Sequence, residues 1–356
     1  MCNAQSVRCE PWSEYSECQS CPAGQYPNAA TKVRGTRFLK RQERRWKRRS
    51  TGKHFGFPVL DVDSQRIVRD EFDLRSLKAA SADGRIVNGL EVPSSEAEHY
   101  MFASVLWVKS GSSLSFICTC ILIGSQTVLT AAHCVDSYSS FAVGVGRYDR
   151  TKSVDADQGE NIDVAAVYIH PNWKGPDVWD GRNDVAVLEL ARPVSDPRLV
   201  DQAVVLDPVR GSAGHTVGQT LLALGWGRLT YGGTLPARLN FVNISFVDDS
   251  TCARVFGSFF DAERVVCAGE RFGGKGVCNG DSGGPLVYVD PSKQPGEAGR
   301  FHLVGITSYG PSCDYDWAGL AGWTDLTGRG DNGERYVDWI HRVSGGDMQS
   351  TCGLYD

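Results

Sequence analysis

From Ile86 to about Val343 the apolar residues come in short β-branched runs, such as Ser104 to Val108, Ile117 to Ile123, Asp184 to Leu190 and Leu303 to Thr307, separated by Gly, Pro and Asp clusters. Runs of strand length with turn chemistry between them restrict this segment to an all-β barrel or sandwich. One stretch breaks the rhythm. In Arg335 to Val343, the residues Tyr336, Trp339, Ile340 and Val343 share a face at i, i+3, i+4, i+7, so a single helix is expected near the end. Forty glycines and 15 prolines fit a turn-rich fold, and 41% hydrophobic residues supply one large or two small cores. No run approaches the roughly 18 apolar residues of a membrane helix. The most apolar block, Phe116 to Ile123, is of strand length, and no membrane partner is expected.

The front of the chain has another character. Residues 1–30 form a Cys-rich head with Cys2, Cys9, Cys18 and Cys21, and its Trp12 to Cys18 resembles the opening of a thrombospondin type 1 repeat, although the head is too short to complete that module. Residues 31–85 are basic, then polar. Between Thr31 and Lys53, eleven Lys and Arg stand against Glu43 alone, a local charge of +10 in a chain whose total is −5. Everything else is therefore strongly acidic, which gives no reason to expect nucleic acid or an anionic membrane as partner. Arg45-Trp46-Lys47-Arg48 has the R-x-K-R form cut by furin-like proprotein convertases, so a convertase acting at Arg48 is a candidate partner. A solvated linker is the plainer reading, and the two are compatible, because proteolysis needs an exposed flexible site.

Twelve cysteines in 356 residues point to an oxidising compartment. Secretion is therefore expected, although the start MCNAQSVRCE shows no basic n-region followed by an apolar h-region. Asn243-Ile244-Ser245 is an acceptor sequon for N-glycosylation in an exported chain.

Three segments carry chemistry in order: Thr130-Ala131-Ala132-His133-Cys134, Asn183-Asp184-Val185-Ala186-Val187-Leu188, and Gly280-Asp281-Ser282-Gly283-Gly284-Pro285. Amide hydrolysis needs a nucleophile, a base of near-neutral pKa and an acid that fixes the base's tautomer, roles that Ser282, His133 and Asp184 can fill. One His or one Asp-Ser pair alone would read as structural. All three motifs, in the order His, Asp, Ser, closely resemble the chymotrypsin-like and trypsin-like serine endopeptidases from Arg85 to the terminal helix.

That resemblance implies two antiparallel six-stranded β-barrels with a C-terminal helix over residues 86–344. An irregular Cys-rich and basic propeptide precedes them, and a tail, 345–356, follows. It implies a zymogen that an activating protease cuts between Arg85 and Ile86, freeing an α-amine to pair with Asp281. It also implies an oxyanion hole from the amides of Gly280 and Ser282. Gly283 alone can still be read as an ordinary turn glycine. Bridges Cys118 with Cys134, Cys252 with Cys267, and Cys278 with Cys313 follow from the same likeness. Leu221 and Tyr288 stand where another common family pair would be. Cys120 and Cys352 join the four head cysteines as residues without an assigned partner.

The resemblance places Gly276 at the base of the primary specificity pocket, followed by Val277, with Tyr309-Gly310 on one wall and Ala321 on the other. Gly276 carries no charge, so an apolar substrate residue before the cleaved bond is expected. Asp314 and Asp316 leave a trypsin-like Arg/Lys preference open. Ser308 matches the family serine that bonds near the triad Asp, and an extended protein or peptide substrate would pair with Ser308 to Gly310 as a β-strand. Asp155 to Glu160 resembles the calcium loop of some members. Arg147, however, stands where those members place a coordinating acid, and its cation can replace the metal through salt bridges; a solvated acidic loop is the plainer reading, and neither metal nor cofactor is expected. A regulatory homologue binding through the Cys-rich head is the other class of function. Retention of all three chemistry-bearing residues argues against it.

Overall fold

A computed structural model describes residues 7–8, 19–20, 87, 89–175, 181–206, 215–270, 274–310, 313 and 319–348. Arg48, Arg85, Ile86, Asp314, Asp316, Cys352 and the four head cysteines lie outside the described residues.

Six strands close the first barrel: β1 (Ala103–Ser110), β2 (Ser113–Leu122), β3 (Thr127–Thr130), β4 (Phe141–Val145), β5 (Glu160–Ile169) and β6 (Ala186–Leu190). Their spatial order is β1-β2-β3-β6-β5-β4, with β4 returning to pair with β1, and every pairing is antiparallel. The second barrel repeats that order with β7 (Thr220–Gly225), β8 (Asn240–Val247), β9 (Val265–Glu270), β10 (Pro285–Val289), β11 (Phe301–Tyr309) and β12 (Gly319–Asp325). Closure leaves neither barrel an open edge, and alternate side chains point inward. In the second barrel the inward set is Leu221, Ala223, Val242, Ile244, Phe246, Val266, Ala268, Leu286, Val304, Ala321 and Trp323. Each large member of that set contributes about 1.5–3 kcal/mol by leaving water.

Helix α2 (Tyr336–Val343) follows β12 and buries Tyr336, Val337, Trp339 and Ile340 against the first core. Its carboxyl side is tied down by Asp347. That carboxylate accepts the Ser125 N–H and Oγ–H at 2.9 Å each, the Gln126 N–H at 2.7 Å and the Thr127 Oγ–H at 2.8 Å, all at the β2–β3 turn. The expectation of a single helix needs correction, because α1 (Asp249–Phe256) also forms two turns. Asp248 caps it by accepting the Thr251 N–H, and its buried residue Cys252 is bridged to Cys267.

The other bridges are Cys118–Cys134 and Cys278–Cys313, with Cα separations of 6.2 and 5.4 Å. Cys120 is free and buried, and burial pushes its thiol pKa well up, so it packs as a small apolar group. The acidic loop is closed by a guanidinium. Arg147 Nε lies 2.8 Å from Asp157 Oδ2, with both side chains almost fully buried. Its Nη atoms donate to Asn161 Oδ1 at 3.2 Å and to the carbonyls of Lys152 and Asp149 at 2.6 and 3.3 Å.

Candidate active site

Each chemistry-bearing side chain sits where one element ends and another begins. His133 is on a short 3-10 turn, Ala132–Cys134, that follows β3, and the Cys118–Cys134 bridge anchors that turn. Asp184 enters β6 just after Asn183, which adopts a left-handed conformation at φ 56°. That costs a non-glycine residue free energy, and the surroundings hold it there. Tyr336 of α2 donates its hydroxyl to Asn183 Oδ1 at 2.9 Å, and Asn183 Nδ2 donates to the Asn172 carbonyl at 3.3 Å.

His133 Nδ1 lies 2.8 Å from Asp184 Oδ2, and the His133 backbone N–H donates to Asp184 Oδ1 at 3.0 Å. Asp184 is fully buried, and the hydroxyl of Ser308 also donates to its Oδ2. Thr324 holds the Asp184 backbone carbonyl at 2.9 Å. Burial pulls the His133 imidazole down. The Asp184 charge and hydrogen bond, with the Asp136 charge adding to them, outweigh that and leave its pKa raised. Asp136 and Thr324 are site residues that the sequence reading did not single out. Asp136 follows His133 by three positions, and its carboxylate is fixed by Trp173 Nε1 at 3.1 Å and Ser137 Oγ at 2.8 Å.

The Gly280 to Pro285 turn leads into β10. Gly280 has φ +104° and Gly283 has φ +76°. A Cβ at Gly283 would lie 2.2 Å from Thr130 Oγ1 and 2.5 Å from the Thr119 carbonyl, so only glycine fits there. Asp281 is fully buried, with its carboxylate accepting the backbone N–H of Gly227 at 2.8 Å and of Cys278 at 2.9 Å. Burial pushes its pKa up to about 6 despite those two donors.

Gly276 donates its N–H to the Val87 carbonyl at 3.3 Å, and Val277 packs against the second core. Tyr309 is held by its hydroxyl on the Phe259 carbonyl at 3.0 Å and by edge contact with Phe256. Gly310 faces Ala321: a Cβ built on the glycine would sit 3.6 Å from the alanine methyl. The grouping of metal-type ligands found among the described residues, Cys118, His133 and Cys134, has both sulfurs committed to a disulfide and offers no thiolate.

The sequence model described as Trypsin matches residues 91–319. Serine protease filzig of Drosophila melanogaster is 32% identical over 201 residues, covering 55% of this chain and 11% of that protein. Phenoloxidase-activating enzyme 1 of Spodoptera litura is 29% identical over 248 residues, covering 66% of this chain and 60% of that protein. The chain thus spans less than two thirds of the length of these curated relatives. Among solved structures, neuropsin, a serine protease expressed in the limbic system of mouse brain, superposes with a TM-score of 0.57 at 25% identity. That alignment covers 72% of this chain and 99% of the mouse chain. A family match running through both barrels, on a fold shared with a solved protease, places the chain in the trypsin family of serine proteases.

Proposed function

We propose that this chain is a secreted serine endopeptidase made as a zymogen, with His133, Asp184 and Ser282 as its catalytic triad. The observation that carries the reading is the buried Asp184 carboxylate 2.8 Å from His133 Nδ1, which fixes the tautomer and turns Nε2 outward as the base. Ser282 Oγ attacks the scissile carbonyl and gives its proton to His133, and the amides of Gly280 and Ser282 receive the oxyanion. His133 returns the proton to the leaving amine. A water, activated the same way, then releases the acyl group from Ser282.

Activation is assigned to cleavage by another protease at Arg85, which would place the Ile86 α-ammonium beside Asp281. Support comes from the buried Asp281 carboxyl, whose raised pKa reports an environment short of positive charge. An organophosphonate that labels Ser282 after cleavage at Arg85, and labels neither the uncut chain nor Arg85→Gln, is the expected result. No labelling of the cut protein would sink the reading in favour of a regulatory homologue. Residues 1–85 act here as a propeptide, with Arg48 as a convertase site. The exposed Asn243 leaves its sequon accessible on the outer face of β8.

For specificity, Gly276, Val277, Tyr309, Gly310 and Ala321 form a neutral pocket for apolar residues. The Ala321 methyl stands one van der Waals contact from where a Gly310 side chain would be, which narrows the pocket and favours medium aliphatic over large aromatic groups. Ala321→Gly is expected to raise kcat/KM for Phe relative to Val or Leu substrates by about tenfold, the worth of one to two methylenes in a pocket. An unchanged Phe/Leu ratio would move the pocket elsewhere.

A further inference from the structure

The turn that aims the two oxyanion donors is held peptide by peptide. A peptide group's N–H and C=O point in opposite directions, so fixing one fixes the other. The Asn279–Gly280 peptide, which carries the Gly280 N–H, is held at its carbonyl by the Arg228 N–H at 2.8 Å. The Asp281–Ser282 peptide, which carries the Ser282 N–H, is held at its carbonyl by the Gly284 N–H at 2.9 Å. Between them lies the Gly280–Asp281 peptide. Its N–H donates to the Cys278 carbonyl at 2.9 Å, and its carbonyl accepts a side-chain hydroxyl from the other barrel, Thr119 Oγ1, at 3.0 Å.

Thr119 is fully buried in β2 and does two further things. Its backbone N–H donates to the Ser282 carbonyl at 3.0 Å, and its own carbonyl accepts the hydroxyl of Thr130, three residues ahead of His133, at 3.2 Å. One residue thus bonds on both sides of Asp281 and is itself bonded to the strand that delivers the base.

We propose that Thr119 is a positioning residue for the oxyanion hole, its hydroxyl fixing the peptide that follows Gly280. The proposal rests on the hydrolytic reading above. Gly280 is the softest point of the turn: it has no side chain and sits at φ +104°, where glycine has neighbouring conformations within easy reach. Without the hydroxyl, the Gly280–Asp281 peptide keeps only the Asp281 N–H bond to the Cys278 carbonyl, so it can tilt about that bond and, through the flexible Gly280 Cα, draw the Gly280 N–H away from its best aim at the oxyanion. Loss of a whole donor costs about 10²–10³ in kcat, so loosening one is expected to cost about tenfold. The oxyanion exists only beyond the ground state, so kcat falls while KM stays.

Thr119→Ser and Thr119→Ala differ only by the hydroxyl, which separates its role from that of the lost methyl. In the enzyme cleaved at Arg85, the alanine variant is expected to show kcat about tenfold below the serine variant, with KM within twofold. A peptidyl boronate, whose adduct presents a tetrahedral oxygen to the hole, should lose affinity by the same factor. Equal kcat in the two variants, or a loss that appears in KM while boronate affinity holds, overturns the proposal. Should Thr119→Ala not fold, Thr119→Val against the wild type removes the hydroxyl at nearly constant volume and gives the same comparison. Wild-type enzyme that neither turns over peptides nor takes up the boronate would instead defeat the hydrolytic reading.

Discussion

Asp184→Asn is expected to lower kcat by about four orders of magnitude at pH 7 while leaving the barrels folded, the size of loss known when this role is neutralised with its geometry intact. The mechanism is specific. An amide facing His133 Nδ1 can present its own N–H there, which turns the ring to the tautomer whose Nε2 carries a proton and is no base. A second readout separates electrostatics from packing. Asp184 heads the influences that hold the His133 pKa up against burial. With that charge gone the pKa falls, so the acid limb of the pH–rate profile moves to lower pH, because His133 then loses its proton earlier as pH rises. Asp136→Asn should move the limb in the same direction by less and leave kcat at high pH nearly unchanged. Rates measured from pH 5 to 9 on active-site-titrated enzyme check both shifts. An acid limb that stays in place would dissociate Asp184 from His133.

Arg147→Met is expected to destabilise the protein by about 3–5 kcal/mol, the cost of leaving one half of a buried ion pair. The Asp157 side chain is 3% exposed and would keep the backbone donors of Tyr148 and Asp149. Denaturant titration in a Ser282→Ala background measures the loss with self-digestion suppressed. The same arrangement makes a companion expectation for the wild type: a chelator leaves Tm unchanged, since the position that a divalent ion would need is filled by a guanidinium with hydrogen-bonded carbonyl and amide partners. A wild-type Tm that drops in chelator, or an Arg147→Met loss below 1 kcal/mol, would show that the loop is held some other way.

Much of this was legible because strand periodicity, turn residues and short motifs are local. The all-β character follows from segments that each announce themselves, whereas the two-barrel architecture and the pairing of His133 with Asp184 came through the family resemblance that three short motifs carry. Arg147 was legible through the same resemblance, which sets it where calcium-binding members carry a coordinating acid. What stayed hidden depends on long-range contact. Helix α1 was missed although Cys252, Val255 and Phe256 share a face at i, i+3, i+4 and Asp248, three residues before Thr251, was a readable cap, because two turns offer the helical period too few positions to stand out among strands. Thr119 reads as an ordinary β-branched strand residue, and nothing nearby in sequence shows that its hydroxyl meets a carbonyl 161 positions away. Asp136 has the look of a solvated turn acid until Trp173 is placed against it. For Thr119 and Asp136 the missing information is which distant group a short polar side chain meets, a backbone carbonyl in one and an indole N–H in the other.

The Asp347 clamp has a consequence for biosynthesis. The turn at Ser125 leaves the ribosome 222 residues before the carboxylate that satisfies it. Throughout the intervening translation those amides and hydroxyls are served by water, and the nascent first barrel lacks a tie that the finished protein possesses. Co-translational folding can therefore close the strands of that barrel early, but its β2–β3 turn is completed only when α2 has emerged and docked.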